Sequence, residues 1–349
     1  MLFTNTTPLS ARLSIGRGLP DGLRPGLLLA KATFSFDERG RARLDDQDPL
    51  PLLDADTATP LGLLPRDNLP RNDPAFEVFL LGKAHAPFGR PVPHVRVALA
   101  VADCRRELDV YGDRFWLGRG ADAALSAPAP FLEMPLTYSR AFGGTADIEI
   151  DVDSPVEVHY PENPDGVGFD LEPIADGLHR DLNCPAGFPR FTLERGVPNI
   201  ESADSPLRRW SDNPQPEVWC AVPLSGAIHN RRSYLLDPDG GVNARAKPQI
   251  GQFYRAHPGW VLPEAPGKGA PIVLHNLTKN PSLELRFPNL DVYFDYALGP
   301  RDGSRALGPR AIILLPEQQK FAVLFALTFV VDPPTGAERS GRLRIKEQL

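Results

Sequence analysis

Proline and glycine contribute 39 and 30 of the 349 residues. That is about a fifth of the chain, where ordinary globular proteins carry about 12%. An interior proline costs a helix about 3 kcal/mol and a glycine about 1 kcal/mol, so prolines this frequent exclude long helices and leave strands and tight turns. Lys and Arg number 38 and Asp and Glu 44, for a net charge of −6. Such a chain lacks the basic footprint that phosphate backbones or anionic lipid require, so neither nucleic-acid binding nor membrane docking is expected. The longest apolar run, Phe321 to Val331, is far shorter than the ~20 residues of a spanning helix, so no membrane insertion is expected. Cys104, Cys184 and Cys220 form neither a CxxC nor a zinc spacing and read as thiols of a reducing compartment. The opening residues carry no basic or apolar leader pattern, and the expected location is the cytoplasm.

The remaining apolar residues fall into strand-like units. Val95, Val97, Leu99 and Val101 alternate with smaller or charged neighbours, as do Leu283, Leu285 and Phe287. Period-2 alternation marks a strand with one face buried. Leu27 to Phe36 and Phe76 to Leu81 are compact apolar runs, and Ile148, Ile150 and Val152 alternate with carboxylates. Ala311 to Leu315 and Phe321 to Val331 are nearly continuous in apolar character, which predicts central strands covered on both faces or a buried sandwich layer. The expected fold is mainly β: antiparallel sandwich or barrel-like lobes with long Pro-rich loops and few short helices. Residues 1–335 read as one region, with an option of two lobes (1–158 and 217–335) joined by the Pro-rich segment 159–216. Residues 336–349 read as a polar tail that frays.

Motifs for chemistry are sparse. Gly16-Arg-Gly18 and Gly118-Arg-Gly120 lack the rest of any phosphate-binding pattern, and no GxSxG occurs. No histidines stand at HxH or HExxH spacing; His85 and His94 could meet across a hairpin. Asp151 and Asp153 share one strand face, which keeps open an all-β hydrolase or carbohydrate-active protein using paired carboxylates. No cofactor or metal is expected. Trp116, Trp210, Trp219 and Trp260 sit beside Pro or Gly, either as interface anchors or as staples of loops to the core.

Several local patterns gain meaning from their order. They are Lys31-Ala-Thr-Phe34, Leu80 to Pro87, Val110-Tyr-Gly-Asp-Arg-Phe-Trp116, Pro130 to Gly144 with its Tyr138-Ser-Arg-Ala-Phe-Gly-Gly144, Asn163 to Gly168, Val197-Pro-Asn199, and Pro248 to Tyr254. Together, over roughly residues 1–330, they resemble a bacterial domain-of-unknown-function family encoded beside spike and PAAR-like genes of type VI secretion. Members of that family are regarded as effector adaptors or chaperones. Ser139 stands where the family pattern has glutamate. The resemblance implies a non-enzymatic protein whose partner is a secreted effector with a PAAR-like region, and beyond it the valine-glycine-repeat spike protein. It supplies no catalytic residues. Arg and Trp are common interface hot spots, so Arg114, Trp116, Arg140 and Trp210 are the candidate partner-binding residues. Gly112, Asp113, Gly143 and Gly144 are candidate turn-fixing residues, since glycine supplies positive φ and Asp bonds its own backbone.

Overall fold

The computed structural model describes residues 2–17, 23–67, 74–117, 124–149, 155–160, 162–169, 196–209, 212, 214–222, 254–298, 301–331 and 339–347. Strands dominate these residues, and the helices among them are three-residue 3-10 turns. The expectation of a mainly β protein holds, with open sheets in place of a barrel. None of the described helices is long and apolar enough to cross a membrane.

The largest sheet runs in the order Val261–Leu262, Phe76–Leu80, Gly308–Leu315, Lys320–Val331, Arg24–Phe36, Ser10–Ile15, with Ala42–Leu44 also paired to Arg24–Phe36. The two continuous apolar runs do become central strands. A strand covered on both faces has no polar face to present, so alternation disappears from its sequence. Within this sheet one pairing departs from the expected antiparallel pattern: Phe76–Leu80 lies parallel to Gly308–Leu315. The two segments are separated by most of the chain, so no hairpin dictates their relative direction. A second sheet, ordered Ile200–Ser202, Cys104–Tyr111, His94–Val101, Pro271–His275, Ser282–Arg286, is antiparallel throughout. Here the period-2 reading succeeds: Val95, Val97, Leu99, Val101, Leu283 and Leu285 are all buried. Both sheets contribute to one apolar core, where Trp219 and Trp260 meet edge to face at 5.9 Å and Phe34 stacks on Phe321 at 5.0 Å.

Two expectations about organisation need correction. Both large sheets take strands from either side of residues 159–216, so the sheets do not divide into lobes at that segment. The segment itself supplies the edge strand Ile200–Ser202, because its Val197-Pro-Asn199 turn delivers Ile200 against Val110. The C-terminal tail, expected to fray, forms the strand Arg339–Glu347 between Leu2–Asn5 and Leu290–Leu298. Its alternation, with Leu343 fully buried between exposed Arg342 and Arg344, is masked by the arginines in a composition-based reading. The carboxylate-rich alternation near residue 150 begins in a hairpin, Thr145–Glu149 against Pro155–His159, while Ile150 and Val152 lie outside the described residues.

The Lys31-Ala-Thr-Phe34 pattern has a structural use. Lys31 Nζ donates to Asp67 Oδ2 at 2.6 Å and to Pro51 O at 2.9 Å, and Thr33 Oγ1 accepts from Leu50 N at 2.9 Å. Alternate residues of a central strand thereby hold the Pro-rich 50–67 connection against the sheet. Burial lowers the Lys31 pKa and raises that of Asp67, each opposed by the partner's charge. A pair this buried specifies where a loop docks more than it adds stability.

Candidate interaction site

The patterns that stand far apart in sequence converge on one brace at the end of the second sheet. Its centre is Asn199. Its backbone N–H donates to Arg140 O at 2.9 Å and its carbonyl accepts from Tyr111 N at 2.8 Å. Its side chain accepts from Arg140 Nη1 at 3.0 Å and donates to Tyr111 O at 3.2 Å and Asp113 Oδ1 at 3.1 Å. One buried amide thus ties three chain segments together and leaves none of its own polar groups unused, as burial of an amide demands.

Arg114 extends the brace inward. Its guanidinium lies 3.9 Å over the Tyr111 ring, donates to Pro198 O at 3.0 Å and bonds the Glu201 carboxylate. The second Glu201 oxygen accepts from Leu207 N at 3.0 Å. Burial pushes the Glu201 carboxyl up, against the pull of the Arg114 charge. Next to it, Asn163 is fully buried and donates to the carbonyls of Tyr138 at 2.8 Å and Phe142 at 2.9 Å. This fixes the parallel contact of Phe142–Gly143 with Val167–Gly168. Gly143 has φ 144° there, and an added Cβ would overlap Asn163 O.

The candidate residues therefore separate. Gly143 and Gly144 have the positive φ expected of turn glycines, 144° and 132°; Gly112 does not, and is instead closely approached by Ala129 O, while the Asp113 carboxylate accepts from Asn199 Nδ2 at 3.1 Å. Arg114 is a correction: its side chain is 5% exposed and engaged internally, so it is not available to a partner. Arg140 is half-buried on Asn199. Trp116 is half-exposed in the short strand Trp116–Leu117. Trp210, Cys184, Asp151 and Asp153 lie outside the described residues. Trp219 and Trp260 are core staples.

The titratable groups are likewise engaged. His85 and His94 do not meet: His85 Nε2 bonds Glu317 at 2.7 Å, and His94 Nε2 bonds Asp109 at 2.7 Å, whose other oxygen holds Arg96 Nη2 at 2.8 Å. Neither ring has a hydroxyl or thiol partner among the described residues. Burial pushes the Cys220 thiol up to about 11, far from thiolate chemistry at neutral pH. Among the described residues no group of three His, Cys, Asp or Glu could hold a metal ion.

Glu217, missed in the sequence, is a buried and fully engaged acid. Arg106 grips it with Nε–Oε1 at 2.5 Å and Nη2–Oε2 at 3.0 Å, and Trp219 Nε1 adds a bond at 3.4 Å. Burial opposes its ionisation, but the bonds from Arg106 and Ser202 prevail and hold the carboxyl below the usual glutamate value of 4.5. A lowered folded-state pKa gives stability that is complete above the unfolded value and is lost as pH falls through the folded one. The urea-midpoint gap between wild type and Glu217→Gln should thus stay constant from about pH 7 to about pH 5 and close below the unfolded value. A gap that ignores acidification would refute this assignment.

What the brace exposes is apolar. The segment 126–135 runs along its outer side: Ser126 N bonds Phe115 O, Ala129 N bonds Asp113 O, Phe131 and Val92 exchange bonds, and Leu132 O accepts from Ala86 N. Along this strip Phe88 is 83% exposed, Phe115 58%, Leu117 53% and Leu132 50%. Phe88 also has φ 57° in the Pro87–Gly89 turn. A left-handed backbone costs a non-glycine residue about 1–2 kcal/mol, and here no burial of the ring offsets it. The sequence signal was present in Pro87-Phe-Gly89, but it reads as an ordinary turn.

The family model described as "Uncharacterized protein conserved in bacteria (DUF2169)" matches residues 22–326. The chain belongs to the DUF2169 family. No curated protein and no solved structure matches it. The matched span contains every segment of the Asn199 brace and the exposed strip of this DUF2169 protein.

Proposed function

We propose that this DUF2169 protein is a non-enzymatic, cytoplasmic adaptor or chaperone. It binds a type VI secretion effector, one carrying a PAAR-like region, stabilises it and promotes its loading onto the valine-glycine-repeat spike. The ordered patterns of the sequence support the secretion context. Phe88 carries the binding role: a large ring held in a costly backbone conformation and turned to solvent, with Leu132, Phe115 and Leu117 on the same strip. Exposed apolar side chains on a proline-stiffened backbone lose little entropy on docking and suit a polypeptide partner. The hydrogen-bonded histidines and the raised Cys220 thiol fit a protein that acts by shape.

Affinity capture of the tagged full chain from producing cells should recover one effector in near-stoichiometric amount. Phe88→Ser with Leu132→Ser should reduce that recovery at least about tenfold, the scale of losing a central aromatic anchor, without lowering the melting temperature. Effector abundance and secretion that do not change when the gene is deleted would overturn the proposal.

A further inference from the structure

Arg39, Arg41 and Arg43 place three arginines within five residues of a chain of net charge −6. Arg39 sits in the turn before Ala42–Leu44, where Gly40 has φ 77°, and Arg41 and Arg43 share one face of the extended segment that follows. With Arg286 these arginines line an open cleft of about 1130 Å³, whose acids are Asp46 and Glu284 and whose apolar wall includes Phe34 and Phe321. Arg41 is tied to Asp37 at 2.6 Å and Arg286 to Glu284 at 2.5 Å. The side chains of Arg39 and Arg43 form no ion pair among the described residues.

The same cleft has an open sheet edge. Among the described residues, Ala42–Leu44 pairs with Phe34–Phe36 on one side only. Asp37 N donates to Arg41 O at 3.2 Å and Asp45 N to Thr33 O at 2.8 Å, which fixes the phase of the ladder. Asp37/Arg41, Ser35/Arg43 and Thr33/Asp45 are the hydrogen-bonded pairs, so the N–H and C=O of Ala42 and Leu44 point away from the sheet. Both residues line the cleft.

We infer that the cleft receives an extended segment of the partner polypeptide as an added strand beside Ala42–Leu44, with Asp or Glu at alternate positions facing the arginines. The inference rests on the reading that this chain binds a polypeptide, and it adds the chemistry of the segment recognised. Two outward donors and two outward acceptors are too few to hold a peptide alone, so acidic side chains supply the specificity and apolar ones between them meet Leu44 and Phe34. A free anion would use the arginines and leave the sheet edge unpaired, which separates it from a strand.

The test is fluorescence anisotropy of the full chain with a labelled peptide of alternating glutamate and valine. A peptide of alternating lysine and valine serves as control and inorganic phosphate as competitor. The acidic peptide should bind at least about tenfold more tightly than the basic one, and Arg39→Glu with Arg43→Glu should weaken it at least about tenfold. Ala42→Pro, which deletes one outward N–H and no ladder bond, should weaken it severalfold with an unchanged melting temperature. Equal binding of the two peptides overturns the inference. So does displacement by millimolar phosphate with Ala42→Pro behaving as wild type, which would mark an anion site only. Full effector capture by the Arg39→Glu, Arg43→Glu protein sinks the cleft and leaves the adaptor reading standing. Peptide binding with no effector captured by wild type does the reverse.

Discussion

Replacing Arg114 with leucine should destabilise the protein by about 3–5 kcal/mol, because it strands a buried carboxylate. The Glu201 side chain is 1% exposed, and Arg114 is its ion-pair partner among the described residues. The carboxyl is already pushed up by burial, so losing the guanidinium forces it either to stay charged in an apolar setting or to take up a proton. The Leu207 N–H would remain as its bond. Arg114→Leu with Glu201→Leu should recover part of the loss, since the double variant buries no charge at all. Urea unfolding at neutral pH measures both. A loss below about 1 kcal/mol in the single variant would mean that the brace does not hold the end of the sheet together, the range expected of an exposed pair.

Gly143→Ala should be comparably severe, at about 3 kcal/mol or more, combining backbone strain with a steric overlap. At φ 144° an alanine is strained whatever the space, and its Cβ would run into the carbonyl of Asn163, which is backbone and cannot swing aside. Gly89→Ala provides the comparison. Gly89 also has a positive φ, 64°, but an added Cβ would meet nothing within 4 Å. Its cost should be the backbone term alone, about 1 kcal/mol. Equal midpoint shifts in the two variants would show that the Phe142–Gly143 contact with Val167–Gly168 is not tightly packed.

The local elements of the fold were legible where one physical rule acts at short range. The Val95–Val101 alternation exists because one face is wet, and the continuous run from Phe321 exists because neither is along most of its length, up to the exposed Val330. Pairing partners were not legible. Nothing within Phe76–Leu80 states that it will lie parallel to Gly308–Leu315, since that choice is made by packing against residues remote in sequence. The site was half legible. The Gly112-Asp113-Arg114 and Tyr138-to-Gly144 patterns were visible as patterns, but only the folded chain shows that Asn199 joins them. Arg114 was misjudged because arginine serves interfaces and interiors equally well, and residue type does not report burial. Glu217 carried no signal beyond its own identity, and Phe88 only a Pro87-Phe-Gly89 pattern that does not report its exposure.

The strand order has a consequence for biosynthesis. Arg24–Phe36 is synthesised long before its central neighbour Lys320–Val331. Throughout translation that long apolar strand offers an unsatisfied hydrogen-bonding edge to anything nearby, and loop-closure entropy delays its rescue. The largest sheet therefore cannot close until Lys320–Val331 has been made, and a product truncated before residue 320 would be a target for proteolysis rather than a working fragment.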